Sequence, residues 1–345
     1  MRTRRIAFVS VLAACAAAIP AAPAMAASDV TVMTRNIYLG ADIVSLATAP
    51  NKGAFEVAAS DMFRKVEATN FPVRAPALAD EIKAKKPDLV GLQEVALWRT
   101  GPKDDAAAAT TVKYDFLTEL LAALKAKGSE YTVVTQQQEF DFEGPTLEQD
   151  VRLTMRDVIL KRKGSKVKTS GARSGNYKTD VTFTTAVGPA KVLRGWTMVE
   201  GKVGKKSFRF VNTHLEAFGA DVRNKQAQEL FASGGPLASK KRPSILLGDL
   251  NSDPADKTAE GDAIRTVAKA GFTDVYGKGT VRTFGRNELL TAEAAGSQFI
   301  DHILYRSSKA FKVKSKGVTG TGTFQSADPK WSSDHNGVFA KLSLR

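Results

Sequence analysis

Apolar residues fall along this chain in two rhythms. Short alternating or unbroken runs predict strands, and repeats every three to four positions predict helices. A first strand is predicted over 30–37, Val-Thr-Val-Met-Thr-Arg-Asn-Ile, and helices over 54–70 and 75–85. Pro87 closes the second helix, and the run 88–94, Asp-Leu-Val-Gly-Leu-Gln-Glu, predicts a buried strand. Phe116, Leu117, Leu120, Leu121 and Leu124 recur at helical spacing within 114–127, and Gly128 supplies the stop. Strands are predicted over 131–135, 157–161, 179–185, 193–199 and 207–213, with a hairpin turn at 201–204, Gly-Lys-Val-Gly. Asp221 is read as the cap of a helix reaching Ser233. A short buried strand is predicted over 244–248, a helix over 262–270, and late strands over 299–305 and 338–344. Residues 99–111 and 139–150 read as loops, the second acidic. With no Pro/Ser-rich linker, long repeat or heptad, this alternation predicts one α/β domain with mixed sheets.

Composition leaves that picture intact. The chain has 345 residues, 43% apolar and 25% charged, which permits a full core. The N-terminus stands apart: three arginines precede an apolar run over 6–19, and Ala24-Met25-Ala26 offers small residues for cleavage. Residues 1–26 are therefore expected to be a secretory leader, leaving 27–345 as a single secreted or periplasmic domain. Leu12-Ala13-Ala14-Cys15 resembles a bacterial lipobox, so a lipid-anchored Cys15 is the alternative; the short apolar run before it favours plain secretion. Cys15 is the only cysteine, so the cleaved chain has no disulfide and no thiol chemistry. No later stretch reaches the ~18 apolar residues of a membrane span. Net charge is +14, or +11 once Arg2, Arg4 and Arg5 are removed. Seven basic residues and no acid lie within 161–178. Such a run reads first as a solvated face, and alternatively as an attractor for nucleic acid or an anionic membrane surface.

The chemistry-bearing residues are sparse and grouped. Three histidines serve the chain, and each touches a carboxylate-bearing motif: His214 in Asn-Thr-His-Leu-Glu, His302 in Ile-Asp-His-Ile-Leu, and His335 in Ser-Asp-His-Asn-Gly. Five apolar segments end in a residue able to hold a metal, proton or phosphate: Arg35-Asn36, Gln93-Glu94, Thr213-His214, Gly248-Asp249-Leu250-Asn251 and Ile300-Asp301. Ser333-Asp334-His335 is a sixth. Asp249 to Glu260 also mimics a calcium-binding loop, but Pro254 stands where that loop needs glycine. Side chains alternate along a strand, so His302 is expected to face away from any site that Asp301 faces. Trp98, Phe142 and Trp196 read as core aromatics, while Trp331, three residues before Asp334, is a candidate to face substrate.

Taken in order, the six motifs closely resemble the endonuclease/exonuclease/phosphatase superfamily of DNase I-like nucleases, neutral sphingomyelinases and inositol polyphosphate phosphatases. The resemblance spans Asn36 to His335. It implies a four-layer α/β sandwich, two mixed sheets face to face with helices outside. It also implies hydrolysis of a phosphoester by in-line water, with Mg²⁺ as cofactor and Mn²⁺ or Ca²⁺ as alternatives. By family role, Glu94 binds the metal with Asn36 and Asp334 close by, and Asp249 orients or activates the water. Asn251, with Asn36, holds phosphate oxygens. His335, paired with Asp301, serves as base or phosphate-binding imidazolium, and His214 acts from the other side. Members of the DNase I-like branch pair that histidine with an acid; Asp157 is the candidate, a salt bridge to Arg156 or Arg152 being its alternative reading. Arg223, on the helix after His214, is a further candidate for substrate contact. The expected partner is a phosphodiester, nucleic acid first and a membrane lipid headgroup second, with the protein acting as a monomer. A secreted DNase I-like nuclease is the first reading, a sphingomyelinase- or phospholipase C-like enzyme or an inositol-phosphate phosphatase the second, and a non-catalytic binding module the third. The lipid reading expects an exposed apolar loop at 106–112.

Overall fold

The computed structural model describes residues 28–104, 107–277, 281–307 and 309–345. The expected leader, Cys15 and Ala106 lie outside them. Strands and helices follow in the order β1 (Asp29–Asn36), α1 (Val44–Ala47), α2 (Lys52–Ala68), α3 (Phe71–Lys85), β2 (Leu89–Gly101), β3 (Thr111–Asp115), α4 (Phe116–Ala126), β4 (Tyr131–Pro145) and β5 (Asp150–Arg162). Then come β6 (Lys168–Asn176), β7 (Val181–Thr185), β8 (Gly188–Val192), β9 (Gly195–Val203), β10 (Lys206–His214), α5 (Ala220–Glu229), β11 (Ser244–Asp249) and α6 (Asp262–Lys269). The remainder are β12 (Phe272–Asp274), β13 (Phe284–Arg286), β14 (Glu293–Gln298), β15 (Asp301–Arg306), β16 (Phe311–Thr319) and β17 (Gly337–Leu344).

Two large mixed sheets organise these elements. The first runs β16-β17-β1-β2-β5-β4, with β3 on β2; the second runs β12-β15-β11-β10-β9-β6. Each contains one parallel pair, β1 with β2 and β10 with β11. Alternation along the strands divides the core into layers. Val32, Leu89 and Ile159 meet Phe208, Phe210, Ile245, Leu247 and Ile303 between the sheets. Their neighbours Met33, Val90 and Leu160 pack outward with Phe63, Leu78 and Leu120 of α2–α4. On the far side Val211, Leu246 and Leu304 pack against Leu230, Ile264 and Val267. The result is the expected sandwich of helices, sheet, sheet and helices, and the unbroken apolar runs are strands buried on both faces.

Some local expectations shift. Of the two predicted loops, 139–150 is largely strand, since β4 and β5 form a long hairpin joined by a tight turn at 146–149, whereas 99–111 is strand only at its ends, where β2 reaches Gly101 and β3 begins at Thr111. Gln and acidic residues hid β4 because its outer positions are solvated. α5 stops at Glu229, and Gly219 is its N-cap, with Asp221 in the first turn. The basic run spans the end of β5, the turn after it and β6, an exposed edge strand whose Lys168 and Arg173 discourage pairing with other chains. In the expected apolar loop Val112 is exposed but Ala109 is buried. No helix among the described residues is long and apolar enough to cross a membrane.

Candidate active site

Register places the polar residues on one edge of the sandwich. His214 lies opposite Asp249, and Asp249 opposite Asp301, across β10, β11 and β15. Asp301 opens its strand instead of ending one, because β15 runs antiparallel to β11. From the other sheet, Asn36 ends β1 beside Gln93, and a bulge in β2 between Leu92 and Val95 turns out Glu94. Glu94 has φ +56 and Asn251 φ +48, a left-handed backbone that non-glycine residues keep only where surroundings enforce it. Gly248 is obligatory at φ +143: a Cβ there would lie 1.8 Å from the Thr213 carbonyl oxygen.

Asp249 Oδ2 is the meeting point. The Asn36 side-chain amide donates to it at 3.1 Å and to Glu94 Oε1 at 2.9 Å. His214 Nε2 lies 3.6 Å and His335 Nε2 3.7 Å from the same oxygen. His335 Nδ1 bonds Asp301 Oδ2 at 2.8 Å, so the two are an oriented pair. The Asn251 N–H donates to Asp249 Oδ1 at 2.9 Å, and its side chain donates to the Leu215 carbonyl. Glu94 Oε2 accepts the Leu39 N–H at 2.9 Å. Glu94, His214, Asp249, Asn251, Asp334 and His335 line one open cleft, with Asn36 and Asp301 behind them.

The two histidines are tuned in opposite directions. Burial lowers the His214 pKa well below its ordinary value, and the Arg194 guanidinium lowers it further. Burial also works against protonated His335, but Asp301, Asp334 and Asp249 outweigh it and hold that imidazole at about 10. Burial first, then neighbouring carboxylates, raises Asp249 to about 7 and Asp334 to about 6. Glu94, His214 and Asp249 present ligand atoms within 4.8 Å of one another, as do Asp249, Asp301 and His335. The second group is already an ion pair. The first, with Asp334 nearby, is a set of carboxylate oxygens and one imidazole, a donor set that fits a hard divalent cation.

Sequence reasoning missed Arg74 and gave no bracing role to the other groups that hold this arrangement. Buried Arg35 donates to the His335 carbonyl at 2.7 Å and to Ser332 Oγ at 2.9 Å. Buried Arg74 donates to the carbonyls of Ile37, Tyr38, Thr69 and Ser332. They tie the loop after β1 to the loop before β17, some 300 positions away in sequence. Between the sheets, Gln93 donates to Asn212 Oδ1, and Asn212 donates to the Leu92 carbonyl and Thr197 Oγ1. Those motif residues brace the strands instead of entering the cleft.

Several expected site residues sit elsewhere or act differently. Asn36 turns its amide nitrogen toward the carboxylates while its oxygen accepts the Tyr38 N–H, so in this arrangement it positions Glu94 and Asp249. Arg194, not Asp157, stands beside His214, with Nη1 2.9 Å from Nδ1 and 3.1 Å from Nε2. Asp157 is fully buried, and among the described residues neither of its oxygens has a hydrogen-bond partner. Its alternative salt bridge also fails, because Arg156 pairs with Asp115 and Arg152 with Asp141. Arg223 is buried away from the cleft, donating to the carbonyls of Glu216 and Ala217 and pairing with Glu260 at 2.7 Å. It clamps the loops after β10 and β11, and its hold on Glu260 leaves no calcium loop. Trp331 packs with Tyr38 and Leu290 instead of facing substrate. His302 faces away as expected, bonded to Asp274 at 2.9 Å and to the Ser252 carbonyl at 3.1 Å.

Two face-to-face mixed sheets with this cluster at one edge define a DNase I-like fold. The chain belongs to the Endonuclease/Exonuclease/phosphatase family, whose model matches residues 66–335; it is a phosphoester hydrolase of that family. Solved structures agree in fold. A family protein from Bacteroides thetaiotaomicron is 20% identical over 92% of this chain and 98% of that one, with a TM-score of 0.56. The mannosyl-6-phosphatase of the same organism is 22% identical over 92% and 99%, with a TM-score of 0.54. D. rerio TDP2 complexed with single-strand DNA product is 18% identical over 92% and 99%, with a TM-score of 0.53. A comparison with curated proteins found no match.

Proposed function

We propose that this protein is an exported, divalent-metal-dependent phosphodiesterase. The convergence of Asn36, His214 and His335 on Asp249 Oδ2, beside Glu94, carries the reading. Glu94 would hold the cation with Asp334 near it, and the cation would supply Lewis acidity toward a phosphoryl oxygen. Asn36 keeps both carboxylates in place. Asp249, between the two imidazoles, orients the attacking water. His335, kept cationic by Asp301, donates to a phosphoryl oxygen, and Asn251 donates to another. Neutral His214 approaches from the opposite side. Groups of this kind each contribute about 10²–10⁴-fold.

The cleft favours a compact phosphoester over a nucleic-acid duplex. Its basic lining residues other than histidine are Arg194 and Arg286, both buried, while Asp42 and Glu288 are acidic. A groove for a polyanion would be cationic. The relatives divide on this point, one being named a mannosyl-6-phosphatase and another holding a DNA product. Purified protein should lose turnover of bis(p-nitrophenyl) phosphate in EDTA and regain it with Mg²⁺ or Mn²⁺. His335→Ala should lose at least about a hundredfold while keeping its far-UV spectrum. Turnover that persists in chelator, or a near-wild-type His335→Ala, rules the mechanism out. Plasmid DNA, RNA, sphingomyelin and inositol phosphates assayed side by side rank the substrates. N-terminal sequencing of protein from the culture medium tests cleavage after Ala26.

A further inference from the structure

A second cavity opens beside the catalytic cleft, with about 670 Å³ of empty space. It lies under α1 and the β7–β8 hairpin, on the helix-facing side of the first sheet. Ile43, Phe140, Val192 and Phe218 line both spaces, so the two adjoin. Trp98 and Phe142 line its interior. Two apolar side chains of its wall are open to solvent, Val44 at 36% and Phe218 at 44% exposure. Phe183 meets Phe218 edge-on at 5.4 Å.

The chemistry of the lining selects the occupant. Thr185 is the only hydroxyl-bearing residue in it, and its hydroxyl already donates to the Gly188 carbonyl at 2.7 Å. The Trp98 indole N–H is likewise taken by the Leu39 carbonyl at 2.9 Å. Among the described residues the lining thus offers no free side-chain donor or acceptor. A nucleobase or sugar placed there would leave its polar groups unpaired, at about 1–3 kcal/mol each. A hydrocarbon loses nothing and gains about 0.8 kcal/mol per methylene buried.

We propose that this pocket takes the hydrocarbon chain of an amphiphilic phosphoester whose phosphate sits at Asp249 and His335. The proposal rests on the phosphodiesterase reading for the placement of the phosphate. It makes the substrate a single-chain, lipid-like phosphoester drawn out of water, with the chain aligned between α1 and the β7–β8 hairpin. Chain length then sets affinity, and the metal-side residues set rate.

The test measures calorimetric affinity of the Mg²⁺-loaded protein for n-alkyl phosphates from ethyl to dodecyl, below their micelle-forming concentrations, with inorganic phosphate as reference. Affinity should rise about three- to fourfold per methylene until the pocket is full. Ala47→Phe fills the pocket at a half-buried position, and Val44→Asp charges it at an exposed one; both line it and neither lines the catalytic cleft. Each should flatten the chain-length dependence while leaving inorganic phosphate affinity and bis(p-nitrophenyl) phosphate turnover as in wild type. Equal affinity across the series overturns the proposal, and so does an unchanged slope in both variants. Weakened oligonucleotide binding in Ala47→Phe, with alkyl phosphates unaffected, overturns it in favour of a base. Absence of turnover with a chain-length-dependent affinity would instead remove the phosphodiesterase reading and keep the apolar pocket, because calorimetry needs no catalysis.

Discussion

Glu139→Gln should make this protein more stable at alkaline pH. Glu139 is fully buried on β4, near Asp157 and Arg194. Burial raises its carboxyl from 4.5 to about 8, against the opposing pull of Arg194 and the Gly195 backbone. Burial and the Glu139 charge raise Asp157 as well, so ionising one member of the pair opposes ionising the other. The sign follows from linkage. The folded state holds this proton more tightly than the unfolded chain, so the contribution is complete below 4.5 and is lost as pH rises through about 8. Each pH unit in that window costs about 1.4 kcal/mol, or at most about 5 kcal/mol across it. Glutamine keeps the shape and has no proton to lose. Denaturant unfolding at half-unit steps from pH 5 to 9 should show variant and wild type nearly equal at pH 5. A gap of about 2–5 kcal/mol should open in the variant's favour by pH 8 to 9. Parallel curves would show that Glu139 is ionised throughout and that the cluster has been misread.

Three further outcomes test other parts of the structure. Gly248→Ala should lose at least about 3 kcal/mol, or fail to fold, since its Cβ meets the Thr213 carbonyl and its φ is +143; a melting point within a degree of wild type contradicts the packing. Burial opposes charge on His302, but Asp274 and the Ser252 carbonyl raise its pKa above 6.5 overall, so the pair stabilises below that value and its contribution fades as pH rises through the folded pKa. Asp274→Asn should therefore cost about 1.5–3 kcal/mol at pH 5.5 and less at pH 8, and a pH-independent loss refutes the pairing. Arg223→Ala leaves the Glu216 and Ala217 carbonyls without their donor and should lower stability by about 1–3 kcal/mol, yet keep kcat/KM within about threefold well below its melting point; a selective rise in KM would return Arg223 to the substrate.

The layered fold was legible because its signals are local. Runs such as 88–94 and 244–248 are apolar on both faces, and only a strand between two packed layers uses such a run. The alternation argument separated His302 from Asp301 for the same reason. β16 was not legible, because alternating lysines on an edge strand look like a solvated segment. The structure brings the motif residues Asn36, Glu94, His214, Asp249 and His335 to one place, but their partners were another matter. Asp157 was a reasonable partner for His214 by position, and Arg194 holds the place beside that imidazole.

What the amino-acid sequence determined by itself was an α/β domain with mixed sheets, the strands that carry chemistry, and the motifs whose family resemblance implied the layered sandwich. Those follow from periodicity and short spacings, which act within a few residues. What only the tertiary structure decided was orientation and surroundings. Arg35 and Arg74 bind backbone carbonyls across the chain, and carbonyls carry no residue identity for a sequence pattern to report. The bulge that turns out Glu94 depends on how β2 is paired with β5. The apolar cavity belongs to no segment: α1, β4, β8 and the loop after β10 each supply a wall, and only packing brings them together.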